Sequence, residues 1–426
     1  MKLASLIGHV LELYSEVIVS LKPADRHIDY FFRARKYLGS KDRRFIAETV
    51  YGMLRHKKRI EWILAEAQKG SDHRYRCAAY LLFEKKVTPE DLSTEIDLPT
   101  DDITAIARQA AVEPALSSGI ETTATTYSLQ EWMVKEWTLQ FGVETVGPLC
   151  ATLNAQAPMT IRVNTIKTSR EECQRILQGE GLETDLAEYS PMGLHLKRRT
   201  NLFQLKAFKD GLFEVQDEGS QLLALLVDPK PGAKVIDACA GAGGKALAMA
   251  AIMKNRGEIF ALDTHSFRLE ELRKRIRRSG VDSIRAKVIQ VGEVIESLSG
   301  TADVVLVDAP CTGTGTIRRN PGMKWTVTEE MVEELHAKQS AILSLNARYV
   351  KPGGRLVYAT CSLMKHENDD VVERFLTDHS EFEIVPPGSV LERYHLAHLA
   401  PNKYFQLLPQ RNNTDGFFAA VMKRTI

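Results

Sequence analysis

The fold class this sequence predicts is α/β: a doubly wound, mixed but mostly parallel sheet, preceded by a small α+β module and an all-α segment. Three observations carry it. Apolar, β-branched runs recur around Val235, Ile259 and Val288 and at 304–307 and 355–358, separated by stretches of helical periodicity such as 267–278 and 328–349; such alternation builds βαβ units. Residues 235–245, VIDACAGAGGK, run from a buried strand into a loop bearing Gly241, Gly243 and Gly244 and then into helical composition. That pattern brings backbone and a helix N-terminus up to a ligand. Before residue 127, by contrast, apolar residues keep helical spacing, as in Phe45, Val50, Met53 and Leu54, with little alternation.

At 426 residues the chain is long enough for about three domains. Its 44% hydrophobic and 26% charged residues are those of an ordinary globular protein. The net charge of +1 hides a basic stretch: residues 22–59 hold twelve Lys or Arg against four Asp or Glu, a local +8. Such a patch suits a phosphate backbone, and it equally suits a plain solvated helix face. The six cysteines stand far apart with no Cys-x-x-Cys pair, so neither a zinc site nor a disulfide framework is indicated. Near the N-terminus His9, Glu12 and Glu16 interrupt the apolar residues while Leu6, Val10, Leu13 and Val17 keep helical spacing, which reads as an amphipathic helix and not a signal peptide. No run reaches the length of a transmembrane helix. A monomeric, cytoplasmic protein with reduced thiols, using no membrane and no metal, is the expectation.

In order along the chain, 1–126 reads as a helical domain that turns acidic and rich in Thr, Ser and Pro from Val87 on. The second domain, 127–220, opens with a helix bearing Trp132, Trp137 and Phe141. It continues with a strand at 159–163, a helix at 169–178, a break at Gly179 and Gly181, and short strands around 194–196. The third, 221–426, starts with an apolar helix at 221–227 and a turn at 229–232. It carries the recurring strands and closes with two candidates for late antiparallel strands, 382–385 and 416–422.

In an open parallel sheet ligands bind beyond the carboxyl ends of the strands. Asp263 closes the run 258–263, twenty residues beyond Gly243, an offset at which a carboxylate can accept the hydroxyls of a ribose. After 304–307 comes Asp308-Ala-Pro-Cys311-Thr-Gly-Thr-Gly, and after 356–358 comes Ala359-Thr360-Cys361-Ser362. Taken singly, each cysteine reads as an inert buried thiol. Taken together, on loops facing a nucleotide-like cofactor, they fit methylation of cytosine. C5 of cytosine is too poor a nucleophile to take a methyl group directly, but a thiolate added to C6 makes the ring enamine-like, and C5 can then attack the sulfonium methyl of S-adenosylmethionine. A base must afterwards remove the C5 proton, and the thiol must leave. Asp308 is placed to hydrogen-bond N3 and the exocyclic amine as the thiolate adds. Lys245 and the sulfonium are candidates for the positive charge that favours a thiolate, given a reference pKa of about 8.5. Spacing alone leaves open which cysteine attacks.

Six stretches resemble the motifs of the Sun-type (RsmB-type) RNA 5-methylcytosine methyltransferases: RVNT at 162–165, QDEGS at 216–220, DACAGAGGK at 237–245, DAPCTGTGTIRRNP at 308–321, KPGGRLVYATCS at 351–362 and DGFFAA at 415–420. They follow the family's order and span most of the chain from Tyr127 onward. More loosely, FIAETVYGMLR at 45–55 resembles the NusB-like domain of the RsmB branch. The resemblance implies a Rossmann-like methyltransferase core at 221–426, a small α+β RNA-recognition module at 127–220 and a NusB-like RNA-binding domain at 1–126. It implies an S-adenosylmethionine site built from Cys239, Ala240, Gly241, Ala242, Gly243, Gly244 and Lys245 with Asp263 and Asp308. It makes Cys361 the nucleophile and Cys311 the thiol that assists proton removal and product release.

The implied substrate is RNA, with 16S rRNA first and tRNA as the alternative. A non-catalytic RNA-binding assembly factor is the reading from a different class; retention of Cys311, Cys361 and Asp308 speaks against it, since binding needs no thiol pair. The chain departs from the family in three places. Gly241-Ala242 stands where Ala-Pro is usual, Ala246 stands where Thr is usual, and Gly292 and Glu293 stand where an Asp is expected after the third strand. Glu293 is taken as the substitute for that acid near the adenine.

Overall fold

A computed structural model describes residues 1–20 and 24–425; Lys22, counted in the basic stretch, lies outside the described residues. The chain divides into two compact units, Met1–Gln156 with Ile317–Val327, and Ala157–Thr316 with Thr328–Ile426.

The first unit is helical. The buried stripe of the helix Leu3–Ile18, from Ile7 to Val17, shares one core with Ile46, Val50 and Met53 of the helix Ser40–Arg55 and with Cys77 and Leu81 of His73–Phe83. Side chains cap the exposed N-termini: Asp72 accepts from the N–H groups of Arg74 and Tyr75, Thr88 from Asp91, and Ser118 from Glu121. At Gly52 a Cβ would fall 1.9 Å from the Tyr80 hydroxyl, so the helices Ser40–Arg55 and His73–Phe83 pass at a separation that glycine alone allows.

The unit continues past residue 126 through the helices Glu131–Phe141 and Val143–Asn154. The Lys58 N–H donates to Ser128 Oγ (2.8 Å) and Lys58 Nζ pairs with Glu131, tying this stretch to the preceding helices. Residues 317–327 belong here too. Lys324, wholly buried, donates to the Arg55 carbonyl (2.6 Å) and Asn154 Oδ1 (2.9 Å), and the Trp325 indole donates to the Leu54 carbonyl (2.6 Å). The Gln130 amide closes the segment by donating to the carbonyls of Lys324 and Val327, 2.7 Å each. The motif 308–321 therefore runs from one unit into the other, and Arg318 within it is a buried side chain.

The second unit contains two sheets. β1 (Thr160–Val163), β2 (Thr184–Leu186), β3 (Gly193–Leu196) and β4 (Phe213–Val215) form an antiparallel sheet in the order β2-β3-β1-β4. The helix Arg170–Gly179 packs Cys173 and Leu177 onto it. The larger sheet comprises β5 (Lys234–Asp237), β6 (Glu258–Asp263), β7 (Ile284–Val288), β8 (Ala302–Asp308), β9 (Val350–Thr360), β10 (Phe382–Val385), β11 (Phe405–Leu407) and β12 (Phe417–Arg424). Its order is β10-β12-β9-β8-β5-β6-β7, with β11 paired to β12. The five strands from β9 to β7 are mutually parallel, whereas β12 runs antiparallel to β9, and both β10 and β11 run antiparallel to β12.

This is the expected mixed, doubly wound, Rossmann-like sheet. Leu222, Leu247 and Met249 cover one face, and Leu343, Val371 and Phe375 cover the other, which is why the central strands are continuous apolar runs. From β5 the chain winds outward through β6 and β7, then returns to the opposite side of β5 for β8 and β9. The strand order reverses between β5 and β8, and their carboxyl ends form the crevice where open sheets bind ligands.

Three of the sequence motifs prove to be joints of this unit. Arg162 Nε donates to Gln216 Oε1 (2.6 Å), and Asn164 Nδ2 donates to the carbonyls of Gly211 and Ser279 (2.9 and 2.8 Å). The Asp415 N–H points at the Asp217 carboxylate (3.3 Å). RVNT, QDEGS and DGFFAA thus bind the small sheet to the large one.

Candidate active site

The loop after β5 is laced into place by its own backbone. The Ala240 N–H donates to the Leu262 carbonyl (2.9 Å), the Gly243 N–H donates to Ala240 (2.8 Å), and the Ala242 carbonyl accepts from Arg275 Nη1 (2.8 Å). Gly241 and Gly243 adopt positive φ, 54° and 79°, where side chains with a Cβ are strained. A Cβ on Gly243 would also strike Leu272 Cδ1 at 2.1 Å, whereas one on Gly241 would meet no atom within 4 Å. Gly241 therefore borders open space.

Asp263, at the end of β6 and 6% exposed, is fixed against this loop. Its Oδ2 accepts the Gly241 N–H (2.9 Å) and its Oδ1 the His265 N–H (2.8 Å). Lys245, in the first turn of the helix Gly244–Ile252, donates to Asp308 Oδ2 at the end of β8 (2.5 Å). Burial opposes the lysine's charge, but the charge and hydrogen bond of Asp308 outweigh it and hold the Lys245 pKa above its ordinary value. Burial, followed by the charges of Asp237 and Asp308, pushes the Cys239 thiol upward, so it stays protonated. Glu293 sits in the turn after β7, where its Oε2 caps the Gln290 N–H (2.7 Å). The departures from Ala-Pro leave the loop intact: Gly241 supplies the positive φ and its N–H still reaches Asp263.

The two cysteine loops meet beside this crevice. Cys311 Sγ and Cys361 Sγ are 3.4 Å apart. The loops are tied by the Gly315 N–H donating to the Cys361 carbonyl and the Ala309 N–H to the Ala359 carbonyl, 2.9 Å each. The Cys311 thiol is raised well above the usual cysteine range, first by its hydrogen bond to Cys361, then by burial and by the negative charges of Cys361 and Glu367. Cys361 also contributes to the elevation of Lys245, which places that ammonium within electrostatic reach of the sulfur.

Two residues of this site were given no role by sequence reasoning. Asp237, at the end of β5, is 1% exposed, and no side chain among the described residues hydrogen-bonds its carboxyl. Burial, then the charge of Asp308, lifts it to about 7. Its position directly before the glycine loop was the available signal. Glu367, in the short helix Lys365–Glu367, reaches both cysteine loops from a stretch whose local sequence carries no recognisable pattern. Conversely, part of the basic helix Ser266–Ser279 is structural, because Arg275 and Arg278 both pair with buried Glu214 (3.0 and 2.6 Å).

These residues suit S-adenosylmethionine on this chain's own geometry: open space at Gly241 for close approach, a fixed strand-end carboxylate for ribose hydroxyls, and acids facing the helix N-terminus. A doubly wound sheet with that crevice defines a Rossmann-like protein with a nucleotide-type cofactor site. Residues 224–423 match the family described as 16S rRNA methyltransferase RsmB/F, and residues 129–202 match the ferredoxin-like domain of RsmF/B-like methyltransferases. The probable ribosomal RNA small subunit methyltransferase B of Bacillus subtilis (strain 168) is 34% identical over 314 residues, 73% of this chain and 69% of that one. The ribosomal RNA small subunit methyltransferase B of Sodalis glossinidius is 28% identical over 409 residues, 90% of each chain. Among solved structures, a methyltransferase homolog from Pyrococcus horikoshii superposes with a TM-score of 0.62 at 26% identity, covering 72% of this chain and 100% of its own. The chain belongs to the ribosomal RNA small subunit methyltransferase B family and is an RNA methyltransferase. No helix among the described residues is long and apolar enough to cross a membrane.

Proposed function

We propose that this enzyme methylates C5 of a cytosine in RNA, small-subunit rRNA first, through a covalent adduct between Cys361 and C6. The observation that carries the reading is the pair of sulfurs 3.4 Å apart beside the crevice. When bound, S-adenosylmethionine supplies an electrophilic methyl group. Cys361, as thiolate, forms the S–C6 bond, and the displaced π electrons make C5 nucleophilic. Asp308, hydrogen-bonded by Lys245, faces the ring's N3 and exocyclic amine in this scheme. Once the Cys361 electron pair is committed to C6, the hydrogen bond and the charge that held the Cys311 proton both vanish. Cys311 can then release its proton to solvent and, as the thiolate, take up the C5 proton. Breaking the S–C6 bond restores the C5–C6 double bond and returns the electron pair to Cys361. Incubation with methyl-labelled cofactor and total RNA, followed by mapping of the label, tests substrate choice: label in small-subunit rRNA supports the proposal, and label confined to tRNA selects the alternative.

The cofactor pocket yields its own expected outcome. Asp263→Ala removes the carboxylate that fixes the Gly241 N–H and would accept ribose hydroxyls, so calorimetry should show cofactor binding weakened by about 1–3 kcal/mol. Glu293→Gln measures whether that carboxylate serves the adenine end. If both variants bind like wild type, the pocket lies elsewhere.

The helical unit is proposed to grip RNA, as a NusB-like domain would. Arg43 donates to the Leu38 carbonyl (2.9 Å) and Lys57 lies over the Trp325 ring, whereas Lys36, Lys41 and Arg44 are exposed. Reversing Lys36, Lys41 and Arg44 to Glu should flatten the salt dependence of RNA affinity by roughly one logarithmic unit for each phosphate that is no longer neutralised. An unchanged slope would assign this face to solubility alone.

A further inference from the structure

Glu367 is wholly buried, and four donors converge on its two carboxylate oxygens. Oε1 accepts the Thr312 backbone N–H (2.8 Å) and the Gln339 amide (2.9 Å), while Oε2 accepts the Thr312 hydroxyl (2.5 Å) and the Ser362 hydroxyl. Thr312 directly follows Cys311 and Ser362 directly follows Cys361. One side chain therefore spans both thiol-bearing loops.

The rest of the local network serves the same end. The Tyr358 hydroxyl donates to the Glu367 carbonyl (2.6 Å), fixing the short helix to β9. Asn368 donates from Nδ2 to the Ser362 carbonyl (2.9 Å) and accepts the Thr360 hydroxyl (2.5 Å), bracing the stretch that carries Cys361 from either side. Thr314 Oγ1 accepts the Leu363 N–H (2.8 Å) and lies 3.2 Å from Ser362 Oγ. Burying a carboxylate is costly, and apolar packing would fill the same space at lower cost. A carboxylate can accept four hydrogen bonds at once, which an amide with a single oxygen cannot. What the chain obtains from this arrangement is the separation of two sulfurs.

We propose that Glu367 is a positioning residue for the methyl-transfer reaction: by clamping the Cys311 and Cys361 loops it holds the two thiols together, so that addition to C6 and release from it occur at one site. This rests on the C5 reading above, for which both thiols must reach the same base. The negative charge of Glu367 is also among the influences that keep the Cys311 proton in place before Cys361 reacts.

The test combines turnover with a readout of thiol geometry that does not depend on turnover. In wild type, diamide should convert the two thiols rapidly to a disulfide, each sulfur losing a proton and the pair giving two electrons to the diazene; mass spectrometry reads this as a loss of two hydrogens. In Glu367→Gln the amide N–H groups face donors, the loops separate, and cross-linking slows. In the same variant kcat should fall about 10- to 100-fold, the scale of an ångström-sized misplacement of reacting groups, with KM for RNA and cofactor within about twofold of wild type. Thr312→Val, which removes one hydroxyl and keeps the Thr312 N–H bond, should give a smaller loss of both rates and decides the matter if Glu367→Gln does not fold. Wild-type kcat in a folded variant overturns the proposal, whether or not cross-linking slows. A fall in kcat with unchanged cross-linking overturns it as well, because geometry is then not what Glu367 supplies. If the product proves not to be 5-methylcytosine, the C5 reading fails, and the cross-linking rate still reports whether Glu367 sets the thiol pair.

Discussion

Cys311→Ala is expected to accumulate an RNA–protein adduct that survives denaturing electrophoresis, and Cys361→Ala is expected to form none and to lose methylation altogether. The asymmetry follows from the different roles proposed for the two sulfurs. Cys361 is proposed to attack C6, and Cys311, 3.4 Å away, to take up the C5 proton. Without Cys361 no S–C6 bond forms and C5 is never activated. Without Cys311 attack proceeds, but removal of the C5 proton stalls and the adduct persists. The adduct should disappear in the double variant. It should form best on single-stranded or bulged cytosine, because extracting a base from a duplex costs a few kcal/mol. The opposite pattern, a stable adduct with Cys361→Ala and none with Cys311→Ala, would reverse the roles. Full activity in both variants would make the thiols structural.

Asp308→Asn is expected to lower kcat by about 100- to 1,000-fold, the loss typical of removing one preorganised group that stabilises developing charge. The Lys245 ammonium, 13% exposed, then faces a neutral amide. Folding stability should therefore drop as well, by up to about 3 kcal/mol, the low end for a broken buried pair because Asp308 itself is 27% exposed. Adding Lys245→Met should recover stability without recovering turnover, so urea denaturation and methyl-transfer kinetics separate the two effects. A single variant with wild-type kcat would mean that Asp308 does no more than neutralise Lys245.

The sheet was legible in the sequence because its central strands are buried on both faces, which leaves uninterrupted apolar runs between helices of clear periodicity. The late antiparallel strand at 416–422 was readable for the same reason, whereas 382–385 became a partly exposed edge strand. Strands of three residues, β2, β4 and β11, were not, since alternation cannot show itself over so short a span and β11 owes its existence to pairing with β12. The strand-end residues Asp263, Asp308, Cys311 and Cys361 could be placed at the crevice because local order sets them there, strand and then loop. What escaped is what distance in sequence conceals. Lys324 and Trp325 follow the motif 308–321 directly in sequence, and only their hydrogen bonds to Leu54, Arg55 and Asn154 show that this segment packs with the helices. Arg275 and Arg278 give no local sign of a structural role, which comes from Glu214, some sixty residues earlier. Glu367 is invisible for a related reason: its meaning lies in four donors drawn from three separate stretches of chain.

The most direct test of cytosine-C5 methylation uses RNA carrying tritium at C5 of its cytidines together with unlabelled cofactor. Replacement of the C5 hydrogen by a methyl group must release that tritium to solvent. The mechanism predicts one tritium released for each methyl group transferred, with no release by Cys361→Ala. Methyl transfer that leaves the tritium on the RNA would place the modification on another atom and contradict the account.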